Sequence, residues 1–538
     1  MMLLPSIALL RDGLIVGGSL AALGSAAAAI RILRQGRVVD HAAVADVRDA
    51  AAGLRRLARP YDPRRFIDLR RGVFVGLDQA RRPIYLGRHV LDKNHLDILG
   101  ESGVGKSSLA GVLLSQLAAA GETVVVFDPK GDRMLPGVLA RGGREWGRYQ
   151  VHLIDLRPGA GAQLNPFRGC RRDQTEELLQ VALELGKTGD AGVDFYRSGD
   201  REATAWIADG CDEGADIQTL ISVASEDERI TEKENLWREL RQLGRVRAFH
   251  TARGLDLATM LSKPGVVYII GSTTRLEVVA AQKLLLQRVL QLLDERTNQS
   301  RPIALFIDEL KYILSPAALR AAGTIRDRNC HLTFAHQSLG DLDDCPGLSA
   351  KAVRGAIWGN SGVKIAYKML DAQTAQELSR IVGDVTAVSR STTHGDGGRA
   401  SSTARAESVS MMPPHVFTNL PKPSADEASV GVLIGLGVAR YIATRWLPAG
   451  PAPTPAVVAP PARTQIPMRP PVQNQAPAAS VPTATSLASP PSAKPASPFA
   501  ALAAKHPRGQ APAVSTAQAA VTGPEAADIS LDDLLKRP

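Results

Sequence analysis

The sequence predicts an α/β protein with a mostly parallel, doubly wound sheet, and three observations predict it. Gly100-Glu-Ser-Gly-Val-Gly-Lys-Ser107 fits G-x-x-x-x-G-K-[ST], with an apolar strand-like run before it (His95-Leu-Asp-Ile-Leu) and an apolar helix-like run after it (Ser108-Leu-Ala-Gly-Val-Leu-Leu). Five further apolar runs, several of them β-branched, start near Thr123, Val151, Pro264, Ile303 and His331. Continuous runs of this kind suit strands buried on both faces. Helical patterns lie between them, and strands alternating with helices imply crossover connections and a parallel sheet.

The chain has 538 residues, enough for several domains. Its 64 Lys and Arg against 54 Asp and Glu give a net charge of +10, compatible with a nucleic-acid or anionic-membrane partner and equally with an ordinary solvated surface. Cys170, Cys211, Cys330 and Cys345 form no C-x-x-C pair and lie beside no histidine at ligand spacing, so they read as free thiols in a reducing compartment.

Residues 13–30 carry no charge and would span roughly 27 Å as a helix, just short of a hydrocarbon core of about 30 Å. Arg31, Arg34 and Arg37 follow, which keeps that end in the cytoplasm. A single membrane anchor over residues 1–37 is the expectation; a soluble amphipathic helix or a cleaved signal peptide would also fit the stretch. Residues 38–90 read as a juxtamembrane helix and an entry hairpin, with strands near Gly72-Val-Phe-Val and Pro83-Ile-Tyr-Leu. Residues 91–170 and 263–447 form the nucleotide-binding domain. Residues 171–262, charged, helical in pattern and without a buried strand run, form an all-α insertion. Residues 387–411, rich in Ser, Thr, Gly and Arg, read as a mobile loop. Ser429-Val-Gly-Val-Leu-Ile and Ala439-Arg-Tyr-Ile-Ala-Thr close the core as a hairpin. From residue 448 to 538 the chain turns to Pro, Ala, Ser and Thr, which cannot bury enough surface to order itself, so a disordered tail is expected.

The glycine loop points to a phosphate ligand. Gly100, Gly103 and Gly105 permit backbone angles that turn N–H groups inward, and residues 100–108 (Gly100, Glu101, Ser102, Gly103, Val104, Gly105, Lys106, Ser107 and Ser108) would form the cradle. Lys106 can reach the terminal phosphates of ATP, and Ser107 can ligate Mg²⁺. Ala304-Leu-Phe-Ile-Asp308-Glu309 places two carboxylates at the carboxyl end of a buried strand, where an open parallel sheet keeps its ligand crevice. Asp308 would hold Mg²⁺ and Glu309 would polarise the attacking water. Gln337 ends the next strand and can bond the γ-phosphate or the water, or simply cap a turn. Arg326 and Arg328 precede that strand. Asp128-Pro-Lys-Gly-Asp132 follows an earlier strand and reads either as a tight turn or as part of the crevice.

In family order, these pieces resemble the conjugative coupling proteins of type IV secretion, the TraG/TraD-like branch of the FtsK/HerA P-loop ATPases. The residues that carry the resemblance are the loop at 100–107, Phe127-Asp-Pro-Lys-Gly-Asp, Leu164-Asn-Pro-Phe, Phe306-Ile-Asp-Glu-Leu and Ala335-His-Gln-Ser-Leu. Val363-Lys-Ile-Ala-Tyr, Asp371-Ala-Gln-Thr-Ala-Gln-Glu-Leu-Ser, Gly383, Met412-Pro-Pro and the final hairpin continue it, so it covers about residues 70–447. The resemblance implies a RecA-like core in a homo-hexamer at the bacterial inner membrane, with the ATPase domain in the cytoplasm. It implies ATP hydrolysis that moves DNA, single-stranded by preference, or nucleoprotein to a type IV secretion channel. It implies that the insertion contacts relaxosome proteins and that Arg326 is the arginine finger, with Arg328 a near alternative. Many members carry two membrane spans, whereas this chain offers one candidate. A double-stranded DNA pump or secretion-energising ATPase of the same superfamily, and a nucleotide-switched membrane adaptor without motor activity, are the competing readings.

Overall fold

The structure, a computed structural model, describes residues 53–458 except 148, 188–189, 298–299 and 395–399. The expected anchor at 13–30, the first part of the juxtamembrane helix and the tail beyond 458 lie outside the described residues. Among the described residues no helix is long and apolar enough to cross a membrane.

Strands β1 (Val73–Leu77) and β2 (Pro83–Leu86) form the entry hairpin, and β3 (Leu96–Leu99) leads through the glycine loop into helix α1 (Lys106–Ala119). Next come β4 (Thr123–Asp128), α2 (Leu135–Gly142) and β5 (Gln150–Asp155). Between β5 and β6 (Gly265–Ile270) the chain runs through α3 (Arg172–Ala182), α4 (Ala191–Asp209), α5 (Ile217–Glu226), α6 (Glu234–Leu243) and shorter turns, with no strand among the described residues. Helix α7 (Leu276–Asp294), β7 (Ile303–Asp308), α8 (Pro316–Thr324), β8 (Cys330–His336), β9 (Val363–Ala366) and α9 (Ala372–Val382) follow. The last elements are β10 (Asp384–His394), β11 (Ala400–Ser410), β12 (Ser429–Ile434) and β13 (Arg440–Thr444).

Eleven strands make one sheet in the order β2-β1-β13-β12-β9-β3-β8-β7-β4-β6-β5. The seven strands from β9 to β5 pair in parallel, and the two hairpins extend the sheet with antiparallel strands on the β9 side. The apolar runs are continuous because alternate side chains enter two different cores. Val124 and Val126 of β4 pack with Leu109 and Leu113 of α1 on one face. Val125 and Phe127 join Leu284 and Leu285 of α7 on the other, in a cluster that continues into Leu178, Ile207, Leu220 and Leu236 of the helical segment.

Two expectations are corrected. Residues 387–394 and 400–410, expected in a loop, are strands: β10 and β11 pair over eleven rungs, from Asp384↔Ser410 to His394↔Ala400, as a separate two-stranded ribbon. Backbone pairing needs no buried face, so Ser- and Thr-rich strands satisfy it despite a loop-like composition. Residues 448–458, expected in the tail, hydrogen-bond to the body instead. Gly450 donates its N–H to the Gly137 carbonyl at 2.9 Å and Val458 to the Ala162 carbonyl at 2.7 Å, which ties residues 448–458 to the body.

Candidate active site

The carboxyl ends of β3, β8, β7 and β4 lie side by side, because those strands are neighbours in that order. The register sets Leu99 beside His336 and Asp308 beside Ala335, so the glycine loop, Gln337 and the acidic pair leave the sheet at adjoining positions.

Buried Ile98 and Leu99 hold β3 in the core, and the chain then turns sharply through Gly100, Gly103 and Gly105 at φ of 144°, 74° and 111°. These are left-handed values that glycine adopts without a Cβ clash. Space demands glycine too. A Cβ on Gly100 would lie 2.8 Å from Val104 Cγ2, and one on Gly105 would lie 1.9 Å from Ser429 Oγ. Helix α1 starts immediately, so its first unpaired N–H groups and the positive end of its dipole face the loop. Ser102, Gly103 and Ser107 are exposed and Ser108 half-buried at this end, whereas Val104 is buried and offers only backbone. Glu101 turns its carboxylate to Lys422 at 2.9 Å, so it too serves the loop through backbone.

Lys106 is buried, and its ammonium donates to the carbonyls of Gly100 and Glu101, the latter at 3.0 Å. Burial lowers its pKa; the carboxylates of Asp308 and Glu309 oppose that shift from across the crevice. The three groups predicted from two distant motifs therefore share one electrostatic environment. A positive-φ loop closed to a Cβ at Gly100 and Gly105, a helix N-terminus, a buried lysine and an exposed first-turn serine together fit a bound polyphosphate with its metal.

Asp308 ends β7 with its pKa pushed up to about 7, first by burial, then by Glu309 and Asp128. Such a carboxyl is relieved by a cation. Glu309 is 2% exposed and sits at φ 45°, ψ 51°, a left-handed conformation that costs a non-glycine residue about 1 kcal/mol or more. Its Oε1 receives the Lys130 ammonium in an ion pair and the Gln337 side-chain amide at 3.5 Å. Gln337 is fixed by its own N–H, which donates to Asp341 at 2.8 Å, while Asp341 pairs with Lys311 at 2.8 Å.

Lys130 is the site residue that sequence reasoning left unassigned. The signal was Asp128-Pro-Lys-Gly-Asp, and both readings of that motif hold. The buried Asp128 carboxylate accepts the N–H groups of Lys130, Gly131 and Asp132 at 3.1, 2.8 and 2.6 Å, and the Tyr268 hydroxyl at 2.6 Å. That tight turn is what aims Lys130 at Glu309. A second unassigned pair, His336 and Asp97 at 2.8 Å, lies buried under the crevice floor. Burial works against a charged His336, but Asp97, the Ser338 carbonyl and Asp341 together outweigh it and the pKa is raised.

Arg326 is not in this crevice. It precedes β8, at the amino end of the strand whose other end leads to Gln337, about 20 Å away at the usual strand rise. Its guanidinium donates to the Lys93 carbonyl at 2.8 Å, and that of Arg328 to the Arg296 carbonyl at 3.0 Å.

Comparison with known proteins agrees with the reading of the motifs. Residues 302–422 match the family model described as the TraM recognition site of TraD and TraG, and residues 73–158 match the one described as the central domain of helicase HerA. The chain is similar to the conjugative coupling proteins. Mobilization protein A from Escherichia coli is 28% identical over 306 residues, which are 55% of this chain and 56% of that protein, so the chain spans about half the length of its curated relative. Among solved structures, the unbound bacterial conjugative coupling protein TrwBdeltaN70 superposes with a TM-score of 0.52 at 15% identity, over 75% of this chain and 96% of that one. The plasmid coupling protein TrwB in complex with ADP and Mg²⁺ gives 0.51 at 16% identity, over 74% and 96%. At these identities the coupling-protein structures speak for the shared fold.

Proposed function

We propose that the chain is an ATP-hydrolysing coupling protein that brings DNA or nucleoprotein to a type IV secretion channel. The observation that carries this reading is Glu309: a buried carboxylate in a left-handed conformation, next to Asp308, facing the Lys106 ammonium across a glycine cradle. A loop that only bound nucleotide would have no use for a strained acid there.

In this reading the backbone of residues 100–108 and Lys106 grip the phosphates, and Ser107 with Asp308 would hold Mg²⁺. The metal supplies neutralisation of the charge that develops on the transferred phosphoryl group. Glu309 accepts the proton of the attacking water, and Gln337 orients that water or the γ-phosphate. Arg326 is too far from its own crevice and acts on a neighbouring subunit's nucleotide, which calls for a ring, a homo-hexamer in the proposal. Residues 171–262 would form the all-α domain that meets relaxosome proteins. The support is Phe195 and Tyr196 on α4, 74% and 80% exposed with ring centroids 5.8 Å apart, the kind of apolar display that marks a contact surface. Residues 13–30 would anchor the ring at the inner membrane with the ATPase domain in the cytoplasm. The linked binding of single-stranded DNA belongs to the same proposal.

The test is ATP turnover of the full chain with and without single-stranded DNA. Lys106→Ala and Glu309→Gln should each lose at least about a hundred-fold, as expected for groups that act on transition-state charge or the proton. Unchanged turnover in both variants would remove the assigned site.

A further inference from the structure

Between Arg55 and Arg82 the sequence holds nine arginines and three acids, Asp62, Asp68 and Asp78. Asp62 is taken by Arg64 at 2.9 Å and Asp78 by Arg82 at 2.8 Å. Arg55, Arg56, Arg59, Arg65, Arg70 and Arg71 are exposed and form no ion pair with the described residues. Arg56, Arg59 and Arg65 line two clefts that share Pro60, at the β2-β1-β13 side of the sheet, and Arg55, Arg70 and Arg71 lie close to them in the chain. One, of about 760 Å³, has buried Leu54, Leu57 and Val416 in its wall with exposed Arg56 and Arg59. The other, of about 520 Å³, is lined by Arg64, Arg65, Arg445 and Trp446 as well as Asp62.

We propose that this arginine face docks on anionic lipid headgroups. Guanidinium groups match phosphate oxygens in pairs, and the apolar cleft walls can take the glycerol and first methylenes beside them. Single-stranded nucleic acid would bind by stacking bases on free aromatic faces, and here most are taken, with Tyr441 half-buried against the Leu54, Leu57 and Val416 cluster. Arg71 covers Tyr85 at 4.4 Å, Arg81 covers Tyr61 at 5.5 Å and Arg445 covers Trp446 at 4.6 Å. The hydroxyls of Tyr61 and Tyr85 are already given to the Ala443 and Phe66 carbonyls, at 2.7 and 2.6 Å. The face also follows closely in the chain on the uncharged stretch 13–30 and on Arg31, Arg34 and Arg37. The proposal rests on the reading of that stretch as an anchor, and it goes further: the body of the ATPase, not only its leader, touches the bilayer. Each arginine that reaches an anionic surface adds about five-fold to its partitioning, and the effect ends within a Debye length of about 10 Å.

The experiment places the full chain in nanodiscs of phosphatidylcholine, with or without phosphatidylglycerol, and follows backbone hydrogen exchange. Exchange over residues 59–72 should slow at least about ten-fold when phosphatidylglycerol is present and recover at about 0.5 M salt. Exchange in α6 should be the same in both discs. The combined change Arg56→Gln, Arg59→Gln, Arg65→Gln and Arg70→Gln should abolish the difference and leave ATP turnover in detergent within two-fold. Equal exchange of the unaltered chain in both discs would overturn the proposal. So would protection by a single-stranded oligonucleotide in place of the anionic lipid, which would make this a nucleic-acid face. Retention of the chain in discs of phosphatidylcholine alone reports the anchor separately, so a failed anchor and a failed face are told apart.

Discussion

Lys130 and Asp308 show how single residues tune this crevice. The Lys130 ammonium is the cation paired with Glu309, whose carboxylate is 2% exposed. Removing one partner of such a pair leaves a buried charge short of compensation and free to turn away. In Lys130→Met, ATP turnover should fall about ten- to a hundred-fold while nucleotide affinity stays within about three-fold, and Lys130→Arg should recover part of the rate. Steady-state kinetics beside equilibrium nucleotide binding separates these from a collapse of the loop, which would weaken both. Asp308 carries a pH signature. Its folded pKa of about 7 lies above the ordinary carboxyl value of 3.8, so between those limits the folded chain holds a proton that the unfolded chain has released. The stability from this group is therefore complete below pH of about 4 and is lost as pH rises towards 7. Asp308→Asn should raise the unfolding temperature of the nucleotide-free protein at pH 8 and change it least at pH 4–5. Melting curves of both proteins across that range decide it; a variant equal to the parent at every pH would show that Asp308 ionises freely.

Whole elements were legible where burial imposed a pattern and illegible where it did not. Strands β4, β6 and β7 announce themselves because both their faces are covered, so no polar residue interrupts Val124-Val-Val-Phe or Val266-Val-Tyr-Ile-Ile. The glycine loop is legible for a different reason: left-handed angles and the contacts of Gly100 and Gly105 admit one residue type. The ribbon β10–β11 has no such constraint. Residues 404–407 of β11 are exposed, and exposed strand positions keep the Ala, Arg and Glu that a loop could also carry. Lys130 was hidden too, because its partner Glu309 is 179 residues away and only the order of β4 and β7 brings them together. The ribbon is fastened at its base by the Ser379–Ser410 hydroxyl contact at 2.7 Å and the Met411 N–H to the Gly383 carbonyl at 3.0 Å. Replacing residues 388–406 with an Asn-Gly turn, which suits a tight hairpin, should move the unfolding temperature by no more than about 2 °C. Nucleotide binding should persist. A large loss measured by circular dichroism would mean the ribbon is part of the folding core.

At the scale of the molecule, the separation of Arg326 from Glu309 is the feature that the proposed ring would have to close. They stand at opposite ends of neighbouring strands, roughly 20 Å apart, and an arginine side chain, with a reach of about 6–7 Å, cannot bridge that span. If Arg326 contributes to hydrolysis at all, it completes the crevice of another copy. This gives a sharp expectation for mixed rings. Arg326→Ala should be inactive because every interface lacks the arginine, and Glu309→Gln because every crevice lacks the base. Where the two variants assemble together, an interface with Glu309 from one copy and Arg326 from the other is intact. Mixing the two inactive proteins should therefore restore ATP turnover, reaching about a quarter of the parental rate at equal proportions if copies assort at random and each intact interface works alone. The titration of one variant into the other should rise and fall symmetrically. Mixtures that stay silent at every ratio, with co-assembly verified by native mass spectrometry, would place the arginine's action inside its own subunit or outside the reaction, and the ring would lose its chemical necessity.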